Sequence, residues 1–274
     1  MVVRTKLVPA LIILLAAAGN VNASEAKKHT VTVGPEVSYI AYKEDGVKET
    51  GIVYGLFGSY TYRGKLFSEK LENAMLRVNG RLGFGQVDYD GELSDGTPYT
   101  IDNINDTLFE IRAVAGYDFP IFSTSTITPY FGVGYRYLND DLSTDPAGYE
   151  RESNYLYSPI GIETNTPFAN DWSIGLTVEY DIFWLGKQRS HLSDAIPGLG
   201  DVTNDQEKGY GLKGSIKVRK ETEKISFFVE PFINYWNIDK SKDAPLVFSG
   251  TIIGSAYEPK NNSLEYGLKL GAEF

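Results

Sequence analysis

The last eleven residues, Leu264 to Phe274, alternate without a break: Leu264, Tyr266, Leu268, Leu270, Ala272 and Phe274 lie on one face, Glu265 and Lys269 on the other. Such period-two alternation marks a β-strand with one apolar and one polar face. A strand placed at the very end of a chain leaves a row of edge groups open unless another strand pairs with it, and only closure of the sheet removes edges altogether. A closed antiparallel sheet is therefore expected.

The other end carries Arg4 and Lys6, an almost purely apolar run from Leu7 to Ala18, and the small-residue exit Val21-Asn22-Ala23. This is the pattern of a signal peptide over residues 1–23, leaving one domain over residues 24–274. After Ser24 no run approaches the ~18 apolar residues of a spanning helix. If the chain enters a bilayer it must do so as a barrel, because only helices and closed sheets satisfy their backbone groups in hydrocarbon. A mean hydropathy of −0.23 suits a barrel with polar interior and loops. The absence of cysteine excludes disulfides and thiolate metal sites. A net charge of −10 argues against a nucleic-acid partner, which demands a basic surface. Nineteen Tyr, fourteen Phe and three Trp suit rings placed at two membrane interfaces.

Ten alternating segments follow: residues 35–43, 51–63, 75–87, 107–118, 126–138, 154–164, 172–185, 209–220, 225–237 and 264–274. In the third, Leu76, Val78, Leu82 and Phe84 oppose Arg77, Asn79 and Arg81. In the seventh, Trp172 and Trp184 bracket Ile174, Leu176, Val178, Tyr180 and Ile182, with Glu179 and Asp181 opposite. Connections after the odd segments, the first (44–50) excepted, are longer than those after the even ones, which predicts two unlike ends with both termini at the short-turn end. The expected fold is an all-β, closed, up-and-down antiparallel barrel of ten strands, with eight or twelve as alternatives.

The leader, together with Tyr266, Leu268, Leu270, Ala272 and Phe274 at alternate positions, resembles the outer-membrane β-barrel domain superfamily over residues 31–274. The resemblance implies a Gram-negative outer-membrane location with periplasmic termini, a lipid surround that includes lipopolysaccharide, and a terminal strand read by the barrel-assembly machinery. A monomer is expected.

Inward parity assigns to the lumen Arg77, Arg81, Glu110, Arg112, Arg136, Glu163, Glu179, Asp181, Lys213, Lys217, Arg219, Glu230, Glu265 and Lys269. Their signs fall in sectors around the wall, so opposite sectors are expected to bridge and fill a narrow lumen. This favours a structural or interaction protein, with a narrow passive channel for ions or small solutes as the alternative. Enzymatic readings are weaker. Asp88 and Asp90 facing His191 would be similar to the omptin proteases, although Arg189 stands where an aspartate should orient the imidazole. His191 and Ser193 resemble the His-x-Ser of lipid A deacylases, but in a loop. The acidic runs 88–106 and 140–152 read as a solvated rim. No cofactor or metal site is expected.

Overall fold

The computed structural model describes residues 28–65, 72–92, 96–122 and 124–274. The expected signal peptide lies outside the described residues. The chain forms β1 (His29–Glu44), β2 (Val47–Gly64), β3 (Ala74–Glu92), β4 (Pro98–Tyr117), β5 (Phe119–Ile121), β6 (Ser125–Asp141) and β7 (Glu150–Phe168). There follow β8 (Trp172–Ser190), β9 (Val202–Gln206), β10 (Gly209–Lys220), β11 (Ser226–Ile238), β12 (Ala244–Phe248), β13 (Thr251–Ala256) and β14 (Asn261–Glu273).

Ten of these make one antiparallel circuit, β1-β2-β3-β4-β6-β7-β8-β10-β11-β14. The circuit closes where β14 pairs with β1, with Glu36 opposite Lys269 and Val37 opposite Leu268. Phe274 completes the seam, its amide donating to the Val31 carbonyl at 2.9 Å and its carbonyl accepting from the Val31 amide at 3.3 Å. Ten strands is the outcome, and each expected segment is a strand of the circuit.

Parity holds around the wall. Leu56, Leu82, Ile111, Val133, Ile160, Val178, Ile216, Val229 and Leu270 are exposed on the outside. A band of apolar side chains on the outer surface of a closed sheet is the surface a bilayer covers. Rings border it: Tyr39 meets Tyr266 at 5.5 Å and Tyr180 stacks on Tyr210 at 6.0 Å on one side. On the other, Tyr117 meets Phe119 at 4.8 Å and His29 lies against Tyr62 at 5.4 Å.

Several strands run well past their expected limits at the end opposite the termini. The alternation predicts an end at Val87 for the third segment and a start at Thr107 for the fourth, whereas β3 reaches Glu92 and β4 begins at Pro98. Beyond the lipid-facing band a strand needs no apolar outer face, so its alternation fades although its backbone pairing continues. Residues whose pattern predicts a loop are therefore part of the ladder. A bulge interrupts this extension, with Val87 opposite Ile104 but Tyr89 opposite Ile101. Asn103 takes a φ of 59° there, a conformation asparagine tolerates, and its amide donates to Asp88 Oδ1 at 3.0 Å.

We call the end holding the termini the near end and the opposite one the far end. At the far end β1 and β2 are joined by the two-residue turn Asp45-Gly46, where Gly46 adopts φ 74°. The β11–β14 connection there folds back as the hairpin β12–β13. That hairpin is tied down by the Gly200 amide donating to Val247 O at 2.8 Å and by Asn204 Nδ2 donating to Ala256 O at 2.9 Å.

Candidate functional site

Inside the barrel the inward-facing charges assemble into tiers. Nearest the termini, Arg77 grips Glu163 with two nitrogens at 2.7 and 2.8 Å, and Arg63 adds a third contact to Glu163 at 2.7 Å while reaching Asp118 at 3.0 Å. Paired, two-nitrogen guanidinium–carboxylate contacts are directional as well as strong. On the facing wall Glu273 receives Arg219 at 3.1 Å and Lys217 at 3.3 Å, and Lys217 lies 3.5 Å from Glu230.

The middle tier is more buried. Arg81 reaches from β3 across β2 to bind Glu36 of β1 at 2.7 Å and Glu265 of β14 at 2.9 Å. Glu265 also accepts from Ser38 at 2.7 Å and from Asn234 at 3.1 Å. Lys269 stands 4.0 Å from Glu36 and over the Phe232 ring at 4.8 Å. On the other side Arg112 binds Glu179 at 2.5 Å, and Lys213 binds Glu110 at 2.5 Å while lying 3.4 Å from Asp181. Tyr130 and Tyr157 donate their hydroxyls to Glu179 and Glu110. Each of these buried carboxylates is thus met by opposite charge, and Glu265, Glu179 and Glu110 by neutral donors as well, the condition under which charges persist away from water.

Above this tier the lumen is filled by rings. Tyr155, Tyr157, Phe183, Trp236 and Ile238 form one buried cluster, and Arg136, which meets no carboxylate within 4.0 Å among the described residues, lies over Tyr155 at 5.7 Å. Glycines in the wall make room for them: a Cβ at Gly134 would run into the Tyr157 ring, and one at Gly161 into the Tyr130 ring. Below the middle tier a cavity of about 390 Å³ opens among Arg63, Arg77, Glu163, Lys217 and Arg219, and reaches as far as Glu110 and Lys213.

At the far end the buried charges are mostly acidic. Arg151 contacts Glu258 at 2.6 Å, Glu44 at 3.4 Å and Glu49 at 3.6 Å. Burial and the neighbouring Asp140 push the Glu49 carboxyl up to about 8, against the pull of Arg151. Burial likewise raises Glu258 to about 7, with Arg151 opposing it and Glu44 adding to it. Asp106 is raised by burial and by Asp140. Asp106 and Asp140, read in the sequence as part of a solvated rim, are 4 and 5 % exposed. They belong to inward faces of strands that continue beyond the lipid band.

All fourteen lumen residues expected from parity therefore lie on the inner wall, and the structure brings most of them into ion pairs. The sequence reading missed Glu36, Arg63, Asp118, Glu273 and Arg151. Glu36, Arg63 and Glu273 were accessible to the same rule, since each flanks an outward apolar residue in its own segment.

The catalytic candidates do not come together as either hydrolase resemblance requires. Asp88 and Asp90 are exposed on the outer side of β3, in step with Leu82 and Phe84, whereas Val87 and Tyr89 turn inward. Among the described residues, neither makes a contact with His191. Ser193 donates its hydroxyl to Asp201 at 2.8 Å, and His191 Nδ1 lies 3.3 Å from the other oxygen of the same carboxylate. Asp201, which no sequence spacing pointed to, thus separates the roles of the two residues. Burial pushes its carboxyl up, but hydrogen bonds from Ser193 and Arg189 outweigh this and hold it below the ordinary range.

The outer membrane protease OmpT of Escherichia coli superposes with a TM-score of 0.56 at 9% identity, covering 90% of this chain and 95% of that one. The transport unit of the autotransporter AIDA-I from Escherichia coli gives 0.45 at 12% identity, covering 97% of each chain. The outer membrane protein OprG from Pseudomonas aeruginosa gives 0.35 at 13% identity, over 93% of this chain and 99% of that one. No curated protein sequence matches. The outer membrane protein β-barrel domain family matches residues 10–196, more than half of the chain. With a closed ten-strand wall whose outer face is apolar and whose inner face is charged, this chain belongs to that family and resides in the outer membrane.

Proposed function

We propose that the protein is a non-conducting outer-membrane barrel, a structural or interaction component of the envelope that acts through its wall and its far end. The observation that carries this reading is the middle tier. Lys213–Glu110, Arg112–Glu179 and Arg81–Glu265 join strands that are not neighbours in the wall, at 2.5 to 2.9 Å. Opening a path through them means separating buried ion pairs, at a cost of about 3–5 kcal/mol for each pair broken. The near-end cavity then serves as a blind vestibule.

In this reading the termini face the periplasm, and the far end, with the hairpin β12–β13, faces outward. Ile252 and Ile253 on that hairpin are 68 and 57 % exposed, which suits contact with another surface better than contact with water. Outer-membrane lipids, lipopolysaccharide among them, surround the apolar band, and the barrel-assembly machinery reads the strand that ends at Phe274. The protein works as a monomer. The likeness to OmpT is one of fold. With Asp88 and Asp90 turned away from His191, we assign no hydrolytic activity and no cofactor.

Planar-bilayer recording tests the proposal. The wild-type barrel is expected to give no steady open level, and Lys213→Ala combined with Arg81→Ala to give one. Steady conductance by the wild type would establish the alternative, a narrow passive channel.

A further inference from the structure

On the outer wall, beyond the lipid-facing band, Glu150 and Glu152 of β7 meet His191 where β8 ends. The three offer ligand atoms that all lie within 4.8 Å of one another. The backbone fixes their register, because the His191 amide donates to Glu150 O at 2.9 Å and so prolongs the β7–β8 ladder by one bond.

Each side chain is held from behind. Asn139 Nδ2 donates to Glu150 Oε1 at 2.6 Å, and the Tyr137 hydroxyl donates to Glu152 Oε1 at 3.1 Å, leaving one oxygen of each carboxylate free of these donors. Asp201, itself held by Arg189 at 3.2 Å, stands 3.3 Å from His191 Nδ1. His191 Nε2 then faces Glu152 Oε2 at 3.7 Å. That nitrogen is shut off from solvent and has no hydrogen-bond partner. A buried, unpartnered ring nitrogen aimed at carboxylates costs free energy unless something joins them.

A cation does so. An imidazole whose far nitrogen rests on a carboxylate is the arrangement that fixes metal-binding histidines, and ligating carboxylates are hydrogen-bonded in the same way. One nitrogen and two carboxylate oxygens suit a divalent transition ion of the Zn²⁺ type, with water as fourth ligand. Ligand atoms bound at about 2.0–2.2 Å stand roughly 3.3 Å apart in a tetrahedral site, so the gap between Nε2 and Oε2 closes by a small side-chain adjustment. We propose that Glu150, Glu152 and His191 form a divalent transition-metal site on the outer face of the barrel, with Asp201 as the positioning residue for the imidazole.

The test uses the untagged full-length barrel in detergent, titrated with Zn²⁺ by calorimetry and with Co²⁺ by its visible absorption. One ion per chain is expected, with the Co²⁺ spectrum of a low-coordinate site. His191→Gln is expected to abolish saturable binding, Glu152→Gln to weaken it at least about tenfold, and His29→Gln to leave it unchanged. Retention of the unboiled gel mobility verifies that each variant is folded, and Glu150→Gln serves if one is not. No saturable uptake by the wild type, or uptake that survives His191→Gln, overturns the proposal.

Discussion

Lys213 of β10 and Glu110 of β4 touch across the lumen at 2.5 Å although 103 residues separate them in the chain. Neither strand neighbours the other in the wall, so this contact measures how the barrel has closed. The Lys213 ammonium also sits over the Tyr157 ring at 5.0 Å and the Trp236 ring at 5.8 Å, linking the ionic tier to the ring-filled half above it.

Removing that ammonium leaves the buried Glu110 and Asp181 without their nearest cation, while Glu179 keeps Arg112. Lys213→Met is expected to destabilise the barrel by about 3–5 kcal/mol. Adding Glu110→Gln should restore part of the loss, giving a coupling of about 0.5–3 kcal/mol in a double-mutant cycle. Thermal or urea unfolding in detergent measures both, and additive losses would show that the pair is not coupled.

The slot between wall and ring is equally specific. Gly161→Ala puts a methyl group into the Tyr130 ring and should displace the hydroxyl from Glu179, which it now meets at 2.7 Å. Overpacking of this kind costs about 1–3 kcal/mol. Gly254→Ala, where nothing lies within 4 Å, should change the unfolding midpoint little and serves as the control.

Stability should fall as the pH rises from about 4.5 to about 8, and the far end should loosen first. Glu49 and Glu258 ordinarily titrate near 4.5 but are raised to about 8 and about 7 in the fold. Between those values the folded barrel holds protons that the unfolded chain has lost, so raising the pH draws the equilibrium toward unfolding. The loss accrues from about pH 4.5 to pH 8 and then levels off, on the order of a few kcal/mol in all. Hydrogen exchange in β12 and β13 should quicken over the same range, and Glu49→Gln should flatten the dependence. A midpoint that does not move between pH 5 and pH 8 would refute the assignment.

Phe274 contributes its backbone to the seam and its exposed ring to the lipid band. Phe274→Ala keeps both seam hydrogen bonds, so refolding into detergent should be near normal. Assembly in cells should drop several-fold if the terminal ring is what the assembly machinery reads. Equal losses in both settings would assign the ring a packing role instead.

Which residues face lipid and which face the lumen was legible along each strand, because alternate side chains of a strand must take opposite sides whatever the neighbours are. Leu82 and Arg81, or Ile182 and Asp181, declare their sides locally. Strand count followed from the same parity, since every wall strand crosses the apolar band once. Strand length did not, because Asp88, Asp106 and Asp140 lie where no lipid demands an apolar partner. Nor did the pairing of charges. Glu110 had Arg112 two residues away on its own strand and Arg81 opposite it on β3, yet its closest cation is Lys213 from across the barrel. Asp201 reaches His191 only because the chain after β8 turns back on itself. Partners of that kind depend on the stagger and closure of the whole sheet, a property that arises only once all ten strands have paired.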